Sequence, residues 1–222
     1  MSVATFKEKL EKYAFFRTMA EKRRRKRRER EYRNWLKNGR PVPPPHVVKQ
    51  KVVEQYARRF GLEVFVETGT YLGEMVDAVK DSFKLIHSIE LSDELYDRAC
   101  SKFAEFGHIS IHHGDSAKVL PRLINEIDRP CLFWFDAHYS AGVTARGKKE
   151  TPVEDELKAI FHHPVDGHVI LIDDARCFTG DNDYPEMAQV RNFVSEQRPD
   201  HVFEVKDDII RIHIRPSPDR KA

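Results

Sequence analysis

Short apolar runs alternate with amphipathic segments along most of the chain. Five runs have the length of buried strands and end next to a carboxylate or a glycine: residues 63–67, 84–90, 108–113, 131–136 and 168–174. The segments between them place apolar residues three or four positions apart, which predicts helices. Strands that alternate with helices favour a parallel sheet with right-handed crossovers. The pattern therefore predicts an α/β fold.

The last apolar segment, residues 201–214, has a different period. Isoleucines occupy every second position from Ile210 to Ile214, and polar residues stand between them. Such alternation is typical of an antiparallel strand with one solvated face. We expect two strands joined by a tight turn to close the sheet.

The first part of the chain is organised differently. A long helix is predicted over residues 3–38, and Gly39 followed by a proline gives a stop signal. Residues 40–45 are rich in proline and form a stiff linker. We therefore predict a basic amphipathic helix over residues 1–39, the linker, and a folded domain over residues 46–222.

Charge is divided unevenly between these parts. The formal net charge is +2, but residues 1–60 carry 19 Lys and Arg against 6 Asp and Glu, and the rest carries 19 against 30. Residues 22–33 present cations on all sides and suit an anionic membrane surface or another polyanion, such as nucleic acid. A solvated helix is the alternative. An apolar stripe in the same predicted helix could instead pair with a second subunit, and its members are Phe6, Leu10, Tyr13 and Phe16.

Cysteine usage and hydropathy bear on the compartment. Cys100, Cys131 and Cys177 are widely separated and show no metal-binding spacing, so reduced thiols are expected. The N-terminus lacks the apolar core of a signal peptide, and no apolar run reaches the roughly 18 residues of a membrane span. We expect a cytoplasmic protein, with a peripheral position at the inner membrane surface as the alternative.

Chemically distinctive residues follow the predicted strands, where ligands bind in sheets of this kind. Gly69 and Gly73 come after the first strand and let the backbone approach a ligand closely. Glu90 ends the second strand, 21 residues past Gly69, close to the ~20 expected for an acid that binds a ribose hydroxyl. Asp115 follows the third strand. This set predicts a nucleoside-containing ligand, although Asp115 could simply cap a helix.

Three carboxylates follow the fourth and fifth strands. Asp136, Asp173 and Asp174 would repel one another where adjacent strands end, and such oxygen-rich clusters usually hold a hard cation, most often Mg²⁺ or Ca²⁺. The sequence therefore predicts a metal site there. Capping of turns and loops by these acids is the plainer interpretation.

The motifs in chain order, "VFVETGTYLG … HSIEL … HGDS … LFWFDAH … LIDDA", resemble those of class I methyltransferases that use S-adenosylmethionine. The resemblance spans roughly residues 46–214. It implies a Rossmann-like sheet of seven strands, mostly parallel with an antiparallel last strand, flanked by helices. It also implies S-adenosylmethionine as the cofactor.

The resemblance assigns parts of the cofactor to particular strand ends. Glu67 and the two glycines would border its methionine part, Glu90 would bind the ribose, and Asp115 would lie near the adenine. Thr70 and Tyr71 stand where a second close glycine often occurs in the family. The candidate cofactor-binding residues are Glu67, Thr68, Gly69, Thr70, Gly73, Glu90, Leu91, Asp115, Ser116 and Asp136.

Within the family, the chain is similar to metal-dependent O-methyltransferases, including those acting on sugars of natural products. In that group acids after the fourth and fifth strands hold Mg²⁺, and Asp136, Asp173 and Asp174 match those positions. The implied acceptor is a hydroxyl of a small molecule or glycan. We predict Asp136 and His138 as catalytic residues, with His138 as the base because imidazole titrates near neutral pH. Metal-free transfer with the same base remains an alternative.

Two other function classes fit parts of the sequence. The domain could be a binding module that the basic helix delivers to nucleic acid or membrane. An NAD-dependent oxidoreductase is less favoured, because Tyr71 stands two residues past Gly69 where the dinucleotide motif needs glycine. The complete set of strand-end residues favours the methyltransferase.

Overall fold

A computed structural model describes residue 19 and residues 22–136, 152–181 and 184–215. The chain divides into two compact units, residues 1–49 and 50–222. The three-part division predicted from the sequence stays a prediction. Among the described residues, none of the helices has the length and apolar character needed to cross a membrane.

The smaller unit contains helix α1, residues 22–37. Its end has two characteristic hydrogen bonds: the Gly39 amide donates to the Leu36 carbonyl at 3.2 Å, and the Arg40 amide donates to the Trp35 carbonyl at 3.0 Å. Gly39 has a φ of +80°, the left-handed conformation that this type of helix end requires. The predicted stop at Gly39 is therefore confirmed.

Trp35 anchors the end of α1 within the same unit. Its side chain is 5% exposed and clusters with Val47 and Val48. Its indole Nε1 donates to the Pro41 carbonyl at 2.9 Å, and the Tyr32 ring lies 6.0 Å from it. The aromatic side chains at the end of α1 thus contact the segment that follows the proline linker.

Within the described part of the chain, six further α-helices and seven strands follow. The helices are α2 His46–Phe60, α3 Glu74–Val79, α4 Asp93–Phe103, α5 Ser116–Ile124, α6 Val153–His162 and α7 Met187–Gln197. The strands are β1 Val64–Thr68, β2 Leu85–Glu90, β3 Ile109–His113, β4 Cys131–Phe135, β5 Val169–Ile172, β6 His201–Lys206 and β7 Ile209–Ile214.

The strands form one sheet in the order β3-β2-β1-β4-β5-β7-β6. Neighbouring strands from β3 to β5 are parallel, and β7 is antiparallel to both β5 and β6. A two-residue turn joins β6 to β7, with φ of +54° at Asp207 and +62° at Asp208. Two positive φ values match the turn that suits the twist of a hairpin. The predicted seven-stranded, mostly parallel fold is confirmed.

Helices cover both faces of the sheet. Val64 and Val66 of β1 pack with residues of α5, α6 and α7, whereas Phe65 packs with residues of α2, α3 and α4. Because side chains alternate along a strand, Glu67 belongs to the Phe65 face and Thr68 to the opposite face. The end of β1 therefore places one polar residue in each layer.

Prolines mark two of the helices. Helix α6 begins at Val153, with Pro152 as its N-cap. Pro121 lies inside α5. A proline there has no amide to donate to the carbonyl one turn earlier, and α5 is short, ending at Ile124.

Candidate functional site

The candidate site lies at the carboxyl ends of the central strands. β1 stands between β2 and β4, so the chain winds in opposite directions on its two sides. A crevice opens at such a switch point because the connecting segments diverge. The loop after β1 starts at Gly69, whose φ is +94° and whose amide donates to the Ile89 carbonyl at 3.0 Å. This bond keeps the loop alongside the end of β2.

Glu90, the last residue of β2, is held by two backbone amides. Its Oε2 accepts from the Tyr71 amide at 2.8 Å, and its Oε1 accepts from the Ser92 amide at 2.9 Å. The residue is 5% exposed. Each carboxylate oxygen has a second lone pair, so the group is oriented and can still accept from a ligand's hydroxyls. Leu91, which follows it, is half-buried.

Glu67 lies beneath this loop in a short chain of hydroxyls. Its Oε2 accepts from Ser88 Oγ at 2.5 Å, and Ser88 Oγ lies 2.6 Å from Thr70 Oγ1. Since Ser88 has one hydroxyl proton, Thr70 donates to Ser88. Burial raises the pKa of Glu67 to about 8, and the Ser88 hydrogen bond offsets part of that rise. The negative charges of Asp136 and Glu90 contribute to the raised pKa.

The loop between β1 and α3 has an unusual backbone at Tyr71. Its φ is +49°, a conformation that residues with a side chain seldom adopt, and its side chain is 48% exposed. A glycine would adopt this conformation without steric cost. Tyr71 also supplies one of the amides to Glu90. A strained residue at a strand end is the kind of feature that functional sites retain.

Gly73 ends the loop in close contact with α4. Its φ is +64°, and a Cβ added there would lie 2.7 Å from Phe103 Cε2. Lys102 Nζ donates to the carbonyls of Leu72 at 2.9 Å and Gly73 at 2.8 Å. The loop is therefore fixed against α4 by the close contact of Gly73 with Phe103 and by the two hydrogen bonds from Lys102.

Asp115 caps helix α5. Its Oδ1 accepts from the Ala117 amide at 3.2 Å, and its Oδ2 lies 3.0 Å from Lys118 Nζ. The following Ser116 is buried. The structure thus shows the capping role that the sequence left as an alternative, and the predicted adenine contact stays a prediction.

Glu156 of α6 lies in the same region and was missed from the sequence. It is 1% exposed, and its Oε1 and Thr68 Oγ1 find no hydrogen-bond partner within the described residues. Burial raises the pKa of Glu156 to about 7, and the nearby hydroxyls of Ser116 and Thr68 offset part of the rise. A signal existed: Val153, Glu156 and Leu157 follow the spacing of a buried helical stripe.

The three predicted metal ligands lie together. One carboxylate oxygen from each of Asp136, Asp173 and Asp174 falls within 4.8 Å of the others. Asp136 is half-buried, whereas Asp173 and Asp174 are 3% and 4% exposed. Backbone bonds from the Asp136 amide to the Thr68 carbonyl, 3.0 Å, and from the Asp173 amide to the Phe135 carbonyl, 2.9 Å, extend the sheet to this point.

A guanidinium group shares this acidic cluster. Arg176 Nη1 donates to Asp174 Oδ1 at 2.7 Å and also to Asp208 Oδ2. The Arg176 amide donates to Asp208 Oδ1 at 2.8 Å. Burial alone would lower the pKa of Arg176, but the two carboxylates raise it above its ordinary value. Asp208, in the β6–β7 turn, therefore holds the loop that carries Asp173 and Asp174.

Tyr184 is a second residue that the sequence did not single out. It is half-buried, and its ring centroid lies 5.3 Å from that of Phe178. Burial raises the pKa of its phenol, and the nearby charges of Cys177, Asp174 and Asp136 raise it further. Tyr184 therefore lies near the acidic cluster as a neutral hydroxyl.

His138, the predicted base, lies outside the described residues, as do Tyr139 and residues 140–151. Its role stays a prediction. Among the described residues, the structure brings the other predicted positions to one edge of the sheet.

The sheet order and the antiparallel β7 are those of the class I methyltransferase fold. No family model matches the sequence, and no curated protein matches it. Solved structures do share the fold. The O-methyltransferase TomG from Streptomyces achromogenes, of tomaymycin synthesis and in complex with S-adenosylmethionine, has a TM-score of 0.56 at 17% identity, over 84% of this chain and 88% of that one.

Two further structures show the same likeness. An O-methyltransferase from Bacillus cereus, in complex with S-adenosylhomocysteine, has a TM-score of 0.54 at 16% identity, over 85% of this chain and 90% of that one. The methyltransferase PaMTH1 from Podospora anserina, bound to S-adenosylhomocysteine, has a TM-score of 0.50 at 16% identity, over 76% and 78%. At these identities the likeness establishes the fold.

Proposed function

We propose that this protein transfers the methyl group of S-adenosylmethionine to a hydroxyl oxygen of a small molecule or glycan. The observation that carries the proposal is Glu90, held by two backbone amides at the switch point beside the Gly69 loop. An oriented carboxylate at the end of β2 suits the two hydroxyls of a ribose. TomG and the Bacillus cereus enzyme, which share the fold, are O-methyltransferases with this cofactor or its product bound.

The residues around the loop fit the rest of the cofactor. Gly69 and Gly73 carry no side chain that would block a ligand lying against the backbone. Glu67 supplies a carboxyl beneath them, and in the bound state it would face the cationic methionine end. Asp115 and Ser116 would border the adenine. The sulfonium of the cofactor supplies an activated methyl carbon.

The acidic cluster fits a divalent cation. Asp136, Asp173 and Asp174 offer only oxygen ligands, which Mg²⁺ prefers. Such an ion would orient the acceptor hydroxyl and lower its pKa. Arg176 already offsets part of the negative charge, so the cluster also remains compatible with metal-free transfer.

The remaining chemistry needs a base. As the acceptor oxygen forms its bond to the methyl carbon, its proton must leave, while the bond between carbon and sulfur breaks and the sulfur takes the electron pair. His138 stands two residues after Asp136 in the sequence and is our proposed proton acceptor. Alignment of acceptor and methyl group would supply much of the rate.

Calorimetric titration tests the cofactor site. S-adenosylmethionine is titrated into wild type, Glu90→Gln, Asp136→Asn and the control Asp128→Asn, whose side chain is 81% exposed. We expect one-to-one binding, weakened about 10- to 100-fold by Glu90→Gln, since a charged hydrogen bond contributes about 1.5–3 kcal/mol. Asp128→Asn should bind normally, and Asp136→Asn reports whether Asp136 also contacts the cofactor. No binding to wild type would refute the methyltransferase proposal.

A second titration tests the metal. Mg²⁺ should bind wild type and Asp128→Asn, and should bind Asp136→Asn at least tenfold more weakly. Equal Mg²⁺ affinity in all three would refute the metal site and leave the cofactor proposal standing. Cytoplasmic localisation, pairing through the N-terminal helix and membrane or polyanion binding by residues 22–33 are not needed for this reaction and stay predictions.

A further inference from the structure

Helix α1 carries an unusual density of positive charge. Residues 22–33 contain nine Lys or Arg and two Glu, a net charge of +7. Residues 22–27 are exposed. At about 100° per residue, the seven consecutive cations of residues 22–28 leave gaps of no more than about 60° around the axis. Positive charge therefore surrounds this part of the helix.

The same stretch has almost no apolar surface. Tyr32 is the one apolar side chain in residues 22–33, and it packs against Trp35, which is buried with Val47 and Val48. Helices that lie on a bilayer bury a continuous apolar face about 5–10 Å deep. A flat surface would also meet only half of the surrounding cations. A flat lipid surface therefore fits residues 22–33 less well than a polyanion that reaches several faces of the helix.

Charge is also segregated along the chain. Residues 50–222 carry 22 Lys and Arg against 31 Asp and Glu, a net charge of −9. A helix that is only solvated usually mixes both signs along its length. Within α1 the exposed pair Arg33–Glu29, 3.5 Å apart, contributes little, and the net charge of residues 22–33 stays +7.

We propose that α1 binds nucleic acid, with the phosphate backbone contacting more than one face of the helix. Seven of the nine cations in residues 22–33 are Arg. The guanidinium group pairs with phosphate through two parallel hydrogen bonds. A groove about 12 Å wide admits an α-helix and places phosphates on both sides of it, as a flat surface cannot. The contacts are to phosphate and carry no sequence preference.

Fluorescence anisotropy of the full-length protein tests this, with labelled 20-nucleotide single-stranded RNA, duplex RNA and duplex DNA. Vesicles of phosphatidylcholine with 30% phosphatidylserine are the lipid probe. The test variant replaces Arg23, Arg25, Arg27 and Arg30 of α1 with Gln. The control variant replaces four exposed cations of the larger unit, Arg58, Lys84, Arg129 and Lys158, whose side chains are 51–73% exposed.

We expect at least one nucleic acid to bind, with affinity falling about 500-fold between 50 and 200 mM salt if five phosphates are contacted. The test variant should bind at least tenfold more weakly, and the control variant should match wild type. Equal weakening in both variants, no nucleic-acid binding at 50 mM salt, or binding to vesicles alone would overturn the proposal. S-adenosylmethionine affinity, measured on the same samples, reports the proposed enzymatic function separately.

Discussion

Substitution of Gly73 by alanine isolates the close contact between the candidate cofactor loop and helix α4. The chain offers a matched control in Gly61, which has φ of +63° against +64° for Gly73. A Cβ at Gly61 would meet nothing within 4 Å, whereas a Cβ at Gly73 would lie 2.7 Å from Phe103 Cε2 and 3.0 Å from Phe103 Cζ. The two substitutions share backbone strain and differ in the steric clash.

The expected magnitudes follow from these contacts. A side chain in the left-handed conformation costs about 1 kcal/mol, and both variants lose this amount. Carbon atoms normally approach to about 3.5–4.0 Å, so the Phe103 ring or the loop must move by about 1 Å. Phe103 is 3% exposed, and overpacking of such a site costs about 1–3 kcal/mol. Gly73→Ala should therefore lose about 2–4 kcal/mol and Gly61→Ala about 1 kcal/mol.

Urea denaturation followed by circular dichroism measures both free energies of unfolding. A third background, Phe103→Leu, removes the ring that clashes, so the extra loss at Gly73 should shrink to the Gly61 value there. Gly73→Ala should also weaken S-adenosylmethionine binding, whereas Gly61→Ala should not. Equal losses for the two alanine variants, or an extra loss that survives Phe103→Leu, would refute this account of the contact.

Three further predictions concern charge and strain at the site. Native Glu67 keeps its proton up to about pH 8, whereas the unfolded carboxyl loses it near 4.5, so this group makes stability fall as pH rises between those values. In urea titrations the wild type should lose about 2–3 kcal/mol relative to Glu67→Gln between pH 5 and 7; a constant difference would contradict the raised pKa. Asp208→Asn should cost about 1–3 kcal/mol and weaken Mg²⁺ binding several-fold, because Arg176 would then bind Asp174 more strongly; calorimetry showing unchanged Mg²⁺ affinity would argue against this. Tyr71→Gly should stabilise the protein by about 0.5–1 kcal/mol by relieving the strained backbone, and a loss in urea denaturation would show instead that the ring makes stabilising contacts.

The strands and the polar residues at their ends could be predicted from the sequence because each carries a local signal. A run of β-branched and aromatic residues that stops at an acid, as at Glu90 and Asp136, indicates both a buried strand and the position where it ends. Parallel strands bring their carboxyl ends to one edge, so the proximity of Asp136 to Asp173 follows from topology alone. The end of helix α1 at Gly39 was likewise predicted from the sequence.

Contacts between residues that are far apart in the sequence could not be predicted from it. Arg176 and Asp208 are 32 residues apart, and they meet because β7 inserts between β5 and β6. Two hydrophobic strands joined by a short turn specify a hairpin, but which of the two lies beside β5 depends on packing across the sheet. The sequence therefore could not supply the partner of Arg176.

Glu156 is buried, although its position in the first turn of a helix predicts that it is exposed. An acid in the first turn of a helix is expected at the surface, where the helix dipole favours it. Yet the buried stripe of α6 runs through Val153, Leu157 and Ile160, and Glu156 lies on that same face. A buried carboxyl without a full set of partners is costly, and raising its pKa reduces the cost by keeping it neutral.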